Sequence, residues 1–395
     1  MSDKPDGPDA DPCPSPGGGV PSRAVVDLDA IRDNVAALAG HAGSAGVMAV
    51  VKADGYGHGL LPSARAAVRG GATWLGVAQL GEAMALRAAG LTVPVLSWLH
   101  VPGSDFAAAL AADVDLSVSA LWALEEIAAA ARRLGRPARI HLKVDTGLGR
   151  NGAFGDDWPD LLAASRRLEA EGAVRVVGVW SHFVYADAPA HPTVRLQQER
   201  FIEAVALAER AGCDLEVRHL ANSAATLTNP GACFDLVRPG LAVYGLSPVP
   251  DLGDPASFGL TPAMTFVADL AVTKAVPAGQ GVSYGHQYVT DRDTTLALVP
   301  VGYADGIPRN ATNVGPVGIG GVRHTVAGRV CMDQFVVDVG PEQQVRPGQE
   351  VVIFGRGGPG EPTAEDWARA TGTISYEIVT RIGARVPRIY VGGQQ

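Results

Sequence analysis

A lysine that closes an apolar run is the first residue in this chain with the makings of chemistry. In AVVKADGYGHG, residues 49–59, Lys52 stands where a buried strand would end, and burial makes an ionised amine costly. A lysine with a depressed pKa is a nucleophile, the form needed to join an aldehyde cofactor as a Schiff base. The Gly-rich turn that follows lets the backbone approach a ligand, and Tyr56 offers a hydroxyl to a phosphate. Taken alone, Lys52 reads more readily as a rim lysine laying its stem over apolar surface, followed by an ordinary turn.

Further polar residues recur in the same situation. KVDTGLGRNG (143–152) places Lys143 and Arg150 after an apolar run, and WSHF (180–183) ends another with His182. HLANSAAT (219–226) brings Asn222 and Ser223 to the start of a helical stretch, and VRPGLAVYG (237–245) brings Arg238 and then Gly240. Ser223 and the amides near Gly240 have the form of a phosphate cradle, because helix starts and glycine turns present free N–H groups.

These residues converge only if the elements beneath them do. Apolar runs at 47–51, 73–78, 94–98, 115–119, 139–144, 176–183, 216–221 and 235–239 alternate with helical patterns at 60–69, 80–89, 120–134, 157–171 and 193–211. Runs that are apolar almost throughout suit strands covered on both faces. Eight such strands predict a closed (β/α)8 barrel, an α/β TIM-type fold whose strand ends meet at one active-site face. An open doubly wound sheet is the alternative. Beyond residue 255 the rhythm changes to β-branched runs at 265–276, 294–304, 324–339 and 350–355, with few helical stretches before 363–383. That predicts a second, mainly β domain. The expected division is a disordered tail over 1–22, a barrel over 23–255 and a β-rich domain over 256–395, with residues 23–28 available to pair with the β domain.

Composition excludes several classes. The chain has 395 residues, a net charge of −9 and 47% hydrophobic residues, which excludes wholesale disorder and gives no basic footprint for nucleic acid. Its 49 Gly and 28 Pro demand many turns. The four cysteines fit no metal-ligand spacing and are too few for a disulfide framework, so reduced thiols and no metal are expected. No apolar run is long enough to span a membrane. The first 22 residues lack the charged and apolar regions of a signal peptide, so a cytoplasmic protein is expected.

The segments quoted above, taken in order with SYGH (283–286), VGYADG (301–306), GRVCMDQ (328–334), GTISYE (372–377) and RVPRIY (385–390), carry a family resemblance. The chain resembles the bacterial alanine racemases over roughly residues 23–391. The resemblance implies a cytoplasmic homodimer that uses pyridoxal 5'-phosphate to interconvert L- and D-alanine for peptidoglycan. It implies that Lys52 anchors the cofactor and acts as the base on one face of the substrate, with Tyr284 from the partner subunit on the other. It pairs Arg238 with the pyridine nitrogen, puts His182 between Arg238 and Tyr284, and gives Arg150 the substrate carboxylate. An arginine only donates, so it leaves that nitrogen unprotonated, which should limit side reactions. Cofactor contacts carried over are Tyr56, Asn222, Ser223, Gly240, Leu241 and Tyr376. Met332, again from the partner, matches a second carboxylate contact. Tyr303, Arg309, Asp333, Ile374 and Tyr376 match the lining of the substrate approach. Lys143 matches a lysine that some members carry as a carbamate, the alternative being an ion pair with Asp145.

One departure is Ser375, where many members have Asn, which could alter the substrate approach. Among other readings, a non-catalytic cofactor carrier would lack residues 256–395, and a fold-related decarboxylase should not carry Arg238. A racemase for serine or larger amino acids remains the live alternative.

Overall fold

The computed structural model describes residues 19–393. The tail expected over 1–22 therefore lies outside the described residues as far as residue 18. Ser22 already opens strand β1 (Ser22–Asp27).

The apolar runs become eight parallel strands: β2 (Gly46–Val50), β3 (Trp74–Val77), β4 (Val95–Ser97), β5 (Val114–Val118), β6 (Ala138–Lys143), β7 (Val174–Trp180), β8 (Val217–His219) and β9 (Leu236–Val237). Their order is β8-β7-β6-β5-β4-β3-β2-β9. The Arg238 amide donates to Ala221 O at 2.9 Å and a bridge joins Asn222 to Arg238, which closes β9 against β8. A TIM-type barrel results, with helices such as Leu60–Arg69, Leu121–Leu134 and Pro192–Arg210 packed outside. Two helices carry little sequence signal, Leu28–Ala42 before the first barrel strand and the short Phe106–Ala111. Alanine supplies much of their length, and its propensity marks a helix without marking a buried face.

The mainly β domain divides more finely than its sequence runs. Residues 265–276 form two strands in separate sheets, β10 (Met264–Asp269) and β11 (Val272–Val276). They are followed by β12 (Gly281–Val282), β13 (Tyr288–Val289), β14 (Thr294–Val299), β15 (Pro316–Ile319), β16 (Val322–Thr325), β17 (Phe335–Gly340), β18 (Glu350–Phe354) and β19 (Arg388–Val391). A six-stranded sheet runs β16-β15-β18-β10-β1-β19 and a three-stranded one β11-β14-β17. Strand β1 is thus an interior strand of the β domain's sheet, antiparallel to β10 and parallel to β19. Two helices, Ala364–Thr371 and Ser375–Thr380, bring the β domain against the mouth of the barrel, where the Tyr376 ring lies 6.2 Å from that of Tyr56.

Candidate active site

Lys52 leaves β2 and enters a left-handed turn. Ala53, Asp54 and Tyr56 have φ of 53°, 53° and 52°, with Gly55 and Gly57 also positive. Side-chain-bearing residues resist this conformation by roughly 1–2 kcal/mol each, so the turn must be held from outside. Glu82 Oε1 accepts the Ala53 amide at 2.7 Å and Asp54 Oδ1 accepts that of Leu60 at 2.8 Å. His58 Nδ1 lies 2.9 Å from Tyr56 O, and Arg388 Nε donates to Gly57 O at 3.0 Å. The turn swings Lys52 into a cavity of about 770 Å3 at the C-terminal ends of the barrel strands. Burial and the Arg150 charge hold its amine below the ordinary lysine range, toward the unprotonated nucleophile.

Opposite stands Arg238, buried at the end of β9. Its Nη2 donates to Ser181 O at 2.6 Å and Leu220 O at 3.2 Å, and lies 3.4 Å from Nδ1 of His182. The guanidinium sits 4.8 Å from the centroid of the Trp180 ring. Burial lowers its pKa to about 9, which leaves it charged at neutral pH. Burial first, then Arg238, push His182 well below the ordinary imidazole value, so it is neutral.

Between these groups lies the cradle. Ser223 Oγ accepts the amides of Gly240 at 2.8 Å and Ala242 at 3.3 Å, while Asn222 caps the helix Ser223–Thr228 through the Ala225 amide. A Cβ at Gly240 would fall 2.2 Å from the Tyr56 hydroxyl, so only glycine leaves that hydroxyl its place. Tyr56, Asn222, Ser223, Gly240, Leu241 and Tyr376 all line the cavity with Lys52 and Arg238. An amine of lowered pKa, a hydroxyl and amide cradle, and a buried guanidinium match the aldehyde, phosphate and ring nitrogen of pyridoxal phosphate.

Lys143 lies 4.3 Å above the Trp180 ring and its amine meets Asn151 Oδ1. Burial, Arg238 and Arg150 lower its pKa to about 7. Asp145 makes no ion pair with it; its Oδ1 instead accepts the amides of Gly147 at 2.8 Å and Leu148 at 2.9 Å, shaping the loop that carries Arg150 into the cavity wall.

The remaining residues lie elsewhere in the chain. Tyr284, Met332, Tyr303, Arg309 and Asp333 are absent from the cavity lining, whereas Ile374 is part of it. Tyr284 is 71% exposed and Met332 54%. They share one face: Ser283 Oγ donates to Arg329 O at 2.8 Å, and the amides of Tyr303 and Ala304 donate to Cys331 O and Met332 O. Flanking Tyr284, Ser283 and His286 hold positive φ, a strain typical of functional turns. Ser375 is buried and does not line the cavity. Asn151, Trp98 and Trp180 do line it, and Glu82 and Arg388 brace its lysine turn. Trp98 ends the apolar run 94–98, Trp180 opens WSHF, Asn151 belongs to GRNG and Arg388 to RVPRIY, but none of these segments assigns them a role, and Glu82 stands in no motif.

Residues 26–248 match the family model described as alanine racemase, N-terminal domain, and residues 263–390 that for the C-terminal domain. The chain belongs to the alanine racemase family. Members of this family are isomerases that depend on pyridoxal phosphate. A curated relative, the alanine racemase of Frankia casuarinae, is 67% identical over 370 residues, covering 94% of this chain and 96% of that protein. One from Salinispora arenicola is 60% identical over 93% of this chain and 97% of its own. The crystal structure of the alanine racemase from D-cycloserine-producing Streptomyces lavendulae superposes with a TM-score of 0.93 at 57% identity, covering 95% and 98%. Barrel and β domain together are therefore the family architecture. Among the described residues no helix is long and apolar enough to cross a membrane.

Proposed function

We propose that this protein interconverts L- and D-alanine in the cytoplasm, supplying D-alanine for peptidoglycan, and that it works as a homodimer with composite sites. The observation that carries the composite site is a split. Lys52, Arg150, His182 and Arg238 surround one cavity, while Tyr284 and Met332 stand exposed on a β-domain face. A second copy laid over the barrel mouth would cover that face and complete the cavity.

When bound, pyridoxal phosphate draws electrons from the substrate Cα and so acidifies its proton. Lys52 would hold it covalently, Tyr56, Ser223, Asn222, Gly240, Leu241 and Tyr376 would take its phosphate end, and Arg238 would donate to its ring nitrogen. Released when the substrate amine takes its place on the cofactor, Lys52 Nζ would take or return the Cα proton on one face of the substrate. The Tyr284 hydroxyl of the second copy does the same on the other face. Inversion requires both, because a single base returns the proton to the side it came from. Arg150 and the Met332 amide would hold the substrate carboxylate. Tyr303, Arg309, Asp333 and Ile374 would line the approach. A carbamate on Lys143 would reverse a positive charge beside Arg150 and orient it.

Racemisation measured across alanine, serine and larger amino acids in deuterated solvent tests this reading. Alanine should be turned over fastest, with deuterium entering at Cα. Preference for a larger amino acid would overturn the substrate assignment.

A further inference from the structure

Barrel interiors are ordinarily filled by aliphatic layers, yet this one holds a file of ionisable groups beneath the active site. Arg238 Nη1 lies 3.1 Å from Nδ1 of His219, His219 Nε2 lies 2.9 Å from Nδ1 of His141, and His141 Nε2 lies 3.3 Å from Oδ2 of Asp115. All four side chains are buried, Asp115 to 3% exposure. Room for them is built in. A Cβ on Gly178 would fall 2.4 Å from His141 Nδ1, the His219 ring stacks on Trp180 with 4° between planes, and Trp74 meets His141 edge-on. At the far end Asp115 accepts from Arg139 Nε at 3.0 Å, and both line a second cavity of about 280 Å3 at the N-terminal ends of the strands.

The hydrogen bonds in this file run one way. A guanidinium only donates, so Nδ1 of His219 accepts and its proton sits on Nε2. That N–H needs Nδ1 of His141 as acceptor, which places the His141 proton on Nε2, facing Asp115. The carboxylate accepts there and completes the sequence. Burial and the Arg238 charge keep His219 neutral. With the opposite tautomers, His219 would aim an N–H at a buried guanidinium, donor against donor.

We propose that Asp115 locks the tautomers of His141 and His219 and through them holds Arg238 in place at the opposite end of the barrel. Asp115, His141 and His219 are then positioning residues for Arg238. The consequence for the cofactor rests on the reading above that Arg238 is the donor to its ring nitrogen.

The test is nitrogen NMR of the holoenzyme labelled with 15N in its nine histidines, with His141 and His219 assigned by substitution. Both rings should be neutral and protonated on Nε2 in the native protein. Either ring charged, or protonated on Nδ1, overturns the proposal even where no variant folds. In Asp115→Asn, Arg139 Nε keeps the amide oxygen, so the amide N–H faces His141. Both rings should flip to Nδ1–H, and affinity for pyridoxal phosphate should fall roughly tenfold or more. Adding Arg139→Met frees the amide to turn its oxygen to His141 and should restore both tautomers and affinity. A merely structural role predicts further loss in that double variant, and that result would sink the proposal. Flipped rings with unchanged affinity would overturn the hold on Arg238, whereas affinity unchanged in Arg238→Ala as well would overturn Arg238 as the cofactor's partner, so the two failures are distinguishable.

Discussion

Arg388, in the last strand of the β domain, donates through Nε to the carbonyl oxygen of Gly57, 3.0 Å away in the turn that carries Lys52. Its Nη1 donates to Gly383 O and Val386 O and its Nη2 to Ile382 O, at 2.7 to 2.8 Å. One side chain thus couples the end of the chain to the strained start of the active site.

Arg388→Lys should destabilise the protein by about 2–3 kcal/mol, because a point-like ammonium cannot serve carbonyls on several sides of a planar fork. Urea unfolding reads this directly. Turnover should fall with it, since the left-handed turn loses its outer brace. A variant as stable and active as the native chain would show that the remaining contacts suffice.

Gly240→Ala should weaken cofactor binding and lower stability by about 1–3 kcal/mol. The added methyl meets the Tyr56 hydroxyl at 2.2 Å, and Tyr56 is packed between Tyr244 and Tyr376. Tyr56→Phe in the same chain removes the 2.2 Å contact, leaving the ring carbon at 2.8 Å. It should recover part of the stability but not the affinity, because the phosphate loses a hydroxyl. Urea unfolding and titration of pyridoxal phosphate into cofactor-free protein read the two.

Lys52→Ala should lose the visible absorption of covalently held pyridoxal phosphate together with all measurable racemisation. Absorbance after gel filtration checks the first effect. Cofactor still covalently bound in this variant would move the anchor to another residue.

Mixing two inactive variants tests the composite site. Hybrid dimers of Lys52→Ala and Tyr284→Phe place one intact lysine and one intact tyrosine in the same site, so activity should reappear after co-refolding. Activity that stays at the level of the separate variants would confine each site to one chain. Tyr284→Phe alone should slow solvent-deuterium exchange from one alanine enantiomer more than from the other.

Carbamate formation on Lys143 needs the neutral amine. With its pKa lowered to about 7, the protonated fraction falls as pH rises through that value. A carbamate carbon signal from 13C-bicarbonate should therefore grow from pH 6 to pH 8 and be absent in Lys143→Ala. A signal that shrinks over that range would contradict carbamate formation on the neutral Lys143 amine.

The barrel and the residues at its strand ends were legible because both rest on local pattern. Apolar runs mark doubly covered strands, and Lys52, His182 and Arg238 each stand where such a run stops. Asp115, His141 and His219 were not legible as a set, since Asp115 and His141 lie inside apolar strand runs and His219 heads HLANSAAT, where Asn222 and Ser223 carry the visible signal. Their meaning comes from three strands meeting across the barrel, which no spacing encodes. The left-handed turn after Lys52 was visible only as glycines. Ala53, Asp54 and Tyr56 are held in it by Glu82, His58 and Arg388, two of which lie far away in sequence.

Strand β1 lies between β10 and β19 in the sheet, its Ala24 opposite Phe266 and Arg388. On the ribosome this strand emerges before the barrel, yet both its neighbours, β10 and β19, are made only after the barrel. The six-stranded sheet therefore cannot close until β19 is made, and β1 waits unpaired while β2 to β9 can already form the barrel. Cutting between the domains would leave the eight-stranded barrel sheet whole but β1 unpaired beside it, and the six-stranded sheet without an interior strand.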